Sequence, residues 1–248
     1  MDLVTNQTFA AESMAEYATS RTGPLTSSFG GNHIAFLPLS KLSTNYTLPS
    51  STTPLRASTH PTIAKGYTHQ TALLLASLSS PRAAALEISA EVFLSLQRPF
   101  SRGFIEIASS KPFASPIVSF RALSNPIDRD IFVVGLKFMR RFFEAEVLRD
   151  VAFAEVSPVK GVDDEKAIAK YLGEVVNASS AHMSGTCAAG RREWGAVVDT
   201  RFRVHGVSGL RVVDASVMPL VPATHLCSTV YALAEKVGFL GWVVRGLG

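Results

Sequence analysis

Two histidines stand in surroundings suited to proton transfer. His182 lies in Ser180-Ala181-His182-Met183-Ser184-Gly185-Thr186-Cys187, a run of small residues that follows an amphipathic stretch. His225 lies in Val221-Pro222-Ala223-Thr224-His225-Leu226-Cys227-Ser228, directly before a helical pattern. A histidine at a helix N-terminus tends to stay neutral, because the positive end of the helix dipole disfavours the imidazolium. A neutral imidazole is what a general base needs. The four other histidines, His33, His60, His69 and His205, lack such settings. Residue type alone leaves a second reading of His182 and His225 open, as packed or surface side chains.

Other chemistries are poorly served. Zinc could draw on His182, Cys187, His225 and Cys227, all legal ligands, but the spacing is unusual and no Cys-x-x-Cys pair exists. No metal site is therefore assigned. A serine hydrolase would need a Gly-x-Ser-x-Gly elbow, which is absent. The two cysteines, Cys187 and Cys227, make no disulfide framework and read as small buried apolar residues.

The elements that must hold these residues follow from periodicity. Residues 8–20 predict a helix capped by Thr8, stopped at Thr22-Gly23-Pro24. From Ser27 to Lys65 the chain is rich in Ser, Thr, Pro and Gly, and reads as loops around a short strand at Ile34–Leu37 that would shape a pocket. Residues 71–90 read as helical, interrupted near Pro81. Strands are expected at 92–96, 103–108 and 116–120. Helices are expected at 128–146, with Ile131, Val134, Gly135 and Phe138 at helical spacing, and at 164–176, capped by Asp163. Short strands at 195–199 and 210–213 then precede a helix over 228–238 that buries Val230, Leu233, Ala234 and Val237.

The run from His182 through Gly190 resembles the histidine–glycine–threonine–cysteine loop of the glucose–methanol–choline (GMC) oxidoreductases. Gly195-Ala-Val-Val-Asp199 and Arg203 to Pro219, with Val213-Asp214-Ala215-Ser216, are similar to that family's long C-terminal signature. His225 and Ser228 to Lys236 resemble its final histidine and closing helix. Leu96 to Pro126 and Arg21 to Thr26 look like its substrate domain. Ala189, Thr224 and Leu226 depart from the usual residues. The resemblance implies an α+β fold: a mixed or antiparallel substrate-domain sheet with helices on one face, over residues 1–176. A C-terminal strand–loop–helix unit, 177–248, would belong to an incomplete FAD-binding, Rossmann-like domain. It implies oxidation of an alcohol, with the hydroxyl proton passing to His182, His225 holding the hydroxyl, and a hydride passing to FAD. Asp214 and Ala215 would meet the phosphate and ribityl region, and Leu226 and Cys227 the isoalloxazine ring.

No Gly-x-Gly-x-x-Gly opens the chain, so the dinucleotide fingerprint is missing. Two expectations stand side by side. Either an N-terminal FAD-binding half, in a longer form or a partner chain, completes an enzyme acting on a small-molecule alcohol, or the chain is a non-catalytic binding module without flavin.

Composition fits a globular chain: 248 residues, 47% hydrophobic and 18% charged, with net charge +4. The basic residues are scattered, the tightest clusters being Arg140-Arg141 and Arg191-Arg192, which argues against nucleic acid. The N-terminus carries no basic-then-apolar leader, and residues 237–247 are too short to span a bilayer. Localisation stays open.

Overall fold

The computed structural model describes residues 6–26, 34–50, 52–89, 93–151, 155 and 161–245. Helix α1 spans Gln7–Ser20, and its cap is Asn6, whose side chain accepts a hydrogen bond from Phe9 N. The expected cap, Thr8, lies inside the first turn instead. Of the expected pocket loops, residues 27–33 and 51 lie outside the described residues.

The largest core surrounds a three-stranded antiparallel sheet. Strand β1 (Ile34–Pro38) pairs with β2 (Ala84–Ser89), and β2 with β3 (Leu94–Leu96). A second sheet is a two-stranded hairpin, β4 (Phe104–Glu106) with β5 (Ile117–Ser119). The expected single sheet is thus two small ones, each antiparallel. Residue 92, the expected start of β3, lies outside the described residues. The one-turn helix α2 (Leu39–Leu42) and the long α4 (Pro126–Phe143) pack on the first sheet. Gly135 sits so close to Leu86 that an added Cβ would collide with its Cδ1. A side chain at this position would require the buried Leu86 side chain to shift.

Two elements differ from the sequence expectation. Helix α3 covers Pro61–Leu78, starting ten residues before the expected Thr71. His60 caps it and Pro61 opens it, a position where proline loses no helical hydrogen bond. The chain from Ala84 to Ser89 is a strand and not a continuation of that helix. Ser79 ends the helix, Pro81 cannot continue it, and pairing on both edges of β2 overrides the helix preference of Ala84-Ala85-Leu86-Glu87. Because β2 is buried on both faces, it shows no polar alternation.

The start of α4 is a junction. Asn125 caps it, accepting from Ile127 N, and its amide donates to Tyr67 Oη at 3.3 Å. Tyr67 Oη donates to Phe100 O at 3.0 Å. The buried Asp128 carboxylate accepts from Phe100 N and Ser101 N, both at 2.7 Å. Burial pushes the Asp128 carboxyl up, against those hydrogen bonds and the nearby Arg102 charge. Helix α5 (Glu165–Val175) packs on α4 through Ile168 and Leu172, and its cap is Asp164 in place of Asp163.

The C-terminal part has its own small core of Val198, Phe202 and Val217, with Leu233 and Val237 packed on it. The expected strands at 195–199 and 210–213 are absent. Isolated bridges join Ala189 to Val198, Val198 to Val204, and Arg203 to Arg211. Asp199 draws in the amides of Arg201 and Arg203, Phe202 takes a left-handed φ of 61°, and Gly206 and Gly209 also turn with positive φ. A chain that reverses this often cannot stay extended. This part is therefore a knot of turns followed by a helix, not a strand–loop–helix unit. Helix α6 runs over Leu226–Arg245, well beyond the expected end, and Ala234 on it is exposed and not buried. No helix among the described residues is long and apolar enough to cross a membrane.

Candidate active site

His182 follows α5 in a loop whose entry is set by Ala181, at a left-handed φ of 58°. The hydroxyl of Ser179 accepts a hydrogen bond from His182 N at 3.1 Å. The loop then runs beside the segment that carries Asp214 and Ala215. Cys187 N donates to Ser216 O at 2.9 Å and Ala189 N to Val217 O at 2.8 Å, with Gly185 N at 3.4 Å from Ala215 O. These alternating bonds hold the two segments as one piece. Gly185 has a φ of +86°, and a Cβ there would lie 3.2 Å from Met218 O. Both the conformation and the space select glycine.

His225 sits immediately before α6, after a tight turn in which Thr224 N donates to Pro222 O at 2.8 Å. The rings of His182 and His225 meet edge to face, with centroids 5.5 Å apart and planes at 60°. Residues forty-three positions apart in the sequence are thus neighbours. Of the remaining expected residues, Asp214 caps a short 3-10 turn, Ala215–Val217, accepting from Ser216 N at 2.8 Å. Ala215 accepts from the His182 loop. Leu226 is buried and Cys227 is exposed at the opening of α6, so Cys227 is not the buried apolar residue expected.

Glu87 is the residue that the sequence analysis missed. It lies at the centre of β2, 2% exposed, on the strand face opposite Leu86 and Ile88. Its Oε1 is 2.9 Å from His225 Nε2, and its Oε2 accepts from Gln97 Nε2 at 3.1 Å. Gln97 also approaches Ser95 O and Ser95 Oγ, each at 3.4 Å. The signal in the sequence was a single carboxylate inside the apolar run Ala85-Leu86-Glu87-Ile88. A buried charge requires partners, but sequence could not say that one of them lies 138 residues away.

The arrangement offers two imidazoles within reach of one small molecule and a carboxylate fixed to one of them. It also offers the first turn of a 20-residue helix, whose leading amides lack intrahelical acceptors. The hydroxyl of Ser216 is buried and has no hydrogen-bond partner. A ligand with negatively polarised oxygens suits that helix end.

Comparison with known proteins places the chain in a family. A family model described as GMC oxidoreductase matches residues 99–234. A glucose methanol choline oxidoreductase of Aspergillus terreus is 35% identical over 230 residues, covering 92% of this chain and 36% of that protein. An FAD-dependent oxidoreductase from Chaetomium thermophilum superposes with a TM-score of 0.83 at 26% identity, over 95% of this chain and 43% of that one. A fungal aryl-alcohol oxidase superposes with a TM-score of 0.77 at 31% identity, over 94% of this chain and 42% of that one. The chain therefore spans less than half the length of each of these proteins.

Proposed function

The chain belongs to the glucose–methanol–choline oxidoreductase family, and on that premise we propose that it provides the active-site half of an FAD-dependent enzyme that oxidises a small-molecule alcohol. The approach of His182 to His225, at 5.5 Å between ring centroids, is the observation that carries this reading. The rest of the FAD-binding fold is supplied by a longer form of the chain or by a partner chain. Two units divide near residue 176. Their separate cores support this, one built from residues between Leu39 and Leu172 and the other around Val198 and Val217. The second unit is the C-terminal portion of the family's Rossmann-like flavin domain.

His182 takes the hydroxyl proton on an imidazole nitrogen. His225 holds the hydroxyl oxygen and fixes its direction. The pairing has a physical reason, because the carbon-bound hydride leaves readily only as the alkoxide forms. Bound FAD supplies the acceptor for that hydride. Asp214 and Ala215 would hold its phosphate and ribityl region, and the amides of Leu226 and Cys227 would meet its ring. The unpartnered Ser216 hydroxyl and the opening turn of α6 support the fit.

The test has two arms. The first mixes the chain with FAD and follows flavin fluorescence and the visible spectrum of protein after gel filtration. Co-eluting flavin means that this piece binds by itself. A colourless protein that never quenches flavin overturns binding by the chain alone, and the second arm then decides between a completed enzyme and a module without flavin. The second arm uses the completed form with an alcohol under anaerobic conditions. His182→Ala should abolish flavin bleaching, by about 10²-fold or more in rate, with flavin content retained. Unchanged bleaching would remove His182 from the role of base.

A further inference from the structure

The first sheet turns two unlike faces outward. Leu86 and Leu94 border Gly135 of α4, so their face lies against that helix. Side chains alternate along a strand, and directly paired residues share a face. The face that meets His225 is therefore a grid fixed by register. One row is Phe36, Glu87 and Ser95. The next is Ile34, Ser89 and Phe93, the last joined through Ser89 N, which donates to Phe93 O at 3.3 Å. Ile34, Phe36 and Phe93 are large apolar side chains, and they stay 44%, 41% and 43% exposed. The polar members of the grid are occupied or covered. One Glu87 oxygen faces His225 and the other accepts from Gln97. Ser95 Oγ lies 3.4 Å from the Gln97 amide, and Ser89 is fully buried. His225, held at one row of this grid, is itself half exposed.

We infer that Ile34, Phe36 and Phe93 form the substrate wall of this chain, and that its alcohol carries the hydroxyl on a flat, uncharged, apolar ring. This rests on the two-histidine reading above and names the substrate class. The two rows stand two residues apart along the strands, about 7 Å. That is the reach of one six-membered ring with a short substituent. With the hydroxyl at His225, such a ring lies beside Phe36 and extends to Ile34 and Phe93. Burial of apolar area and ring-on-ring packing both favour it there. A sugar would give up water at several hydroxyls and find no free side-chain donor or acceptor among the described residues of the wall. A quaternary ammonium alcohol would meet two phenyl rings, which attract cations. The carboxylate beside them is already committed to His225 and Gln97, so the cation gains no counter-charge.

Binding is read on the chain itself by NMR, without flavin or turnover. Benzyl alcohol, choline and glucose are titrated in turn into protein labelled with ¹³C at its methyl groups. Benzyl alcohol should bind saturably, about tenfold more tightly than the other two, and its ring should shift the Ile34 methyl resonances. Phe36→Ala should weaken benzyl alcohol by about tenfold. Phe113→Ala removes a more exposed ring from the hairpin of the second sheet and should leave the affinity unchanged. The inference is overturned if benzyl alcohol does not saturate, or if choline or glucose binds as tightly. It is also overturned if Phe36→Ala changes nothing, or if Phe113→Ala weakens binding as much. Should Phe36→Ala fail to fold, the wild type decides: Ile34 methyls that stay unmoved at saturation sink the wall. Benzyl alcohol that binds at Ile34 but is never oxidised by the completed form would count against the two histidines and not against the wall.

Discussion

At the residue scale, the two histidines that the structure brings together carry their own punctuation in the sequence. His182 and His225 stood out through their small-residue and pre-helical settings, and the family resemblance implied Asp214 and Ala215 as their companions. Glu87 did not stand out, because its meaning depends on a contact made across 138 positions. Asp199 shows another kind of local order. A little burial pushes its carboxyl up. The hydrogen bonds from Arg203 N, the Arg203 side chain and Arg201 N, with the Arg203 charge, outweigh this and hold it down at about 2. A carboxyl depressed in the folded state contributes stability above its unfolded value, about 3.9, and loses it as pH falls through about 2. Wild type should therefore lose melting temperature over that acid window more steeply than Asp199→Asn does. Thermal melts at a series of acid pH values compare the two, and parallel curves would show that Asp199 adds nothing.

At the element scale, α4 and α5 were legible because each has one strongly apolar stripe and a capping residue at its start. Their boundaries moved by one to three residues only. The stretch from residue 61 to 89 was not legible in the same way. Its helix begins inside a Pro- and Thr-rich passage, and its strand is buried on both faces, so neither shows the expected period. The C-terminal strands failed for a different reason. Val197-Val198 and Val212-Val213 have the composition of strands, but turns at Asp199 and Gly209 leave only isolated bridges, at Val198 and at Arg211 beside the second pair. Packing decides the rest. Ile131 is fully buried under the first sheet, so Ile131→Ala should destabilise the chain by about 2–5 kcal/mol. Urea denaturation measures the loss. Leu210, half exposed at a loop tip, is the contrasting position, where alanine should cost less than about 1 kcal/mol.

At the scale of the molecule, the two cores meet at the site. The sheet of the first carries Glu87, and the helix packed on the second begins one residue after His225. Several large apolar side chains stay exposed on the β4–β5 hairpin, among them Ile107 and Phe113, 89% and 98% exposed. An exposed set of this kind marks a surface suited to contact. The composition predicted a globular chain and the motifs predicted the family. Neither could predict that the second core would be built from turns, because its hydrogen bonds run between loops and leave no repeating pattern.

The bonds that tie residues 185–189 to 215–217 have a consequence for how the chain comes apart. Between these segments the backbone runs out to an exposed tip at Val207 to Leu210, of the kind that proteases favour. A single cut there would break the chain between His182 and His225 without releasing either. The fragment ending near residue 208 would still grip the fragment that carries α6, through the amides of Cys187 and Ala189. Limited proteolysis should therefore give two bands in denaturing gels and one peak in gel filtration. Separation of the fragments under native conditions would show that covalent continuity, and not this clasp, keeps His182 and His225 together.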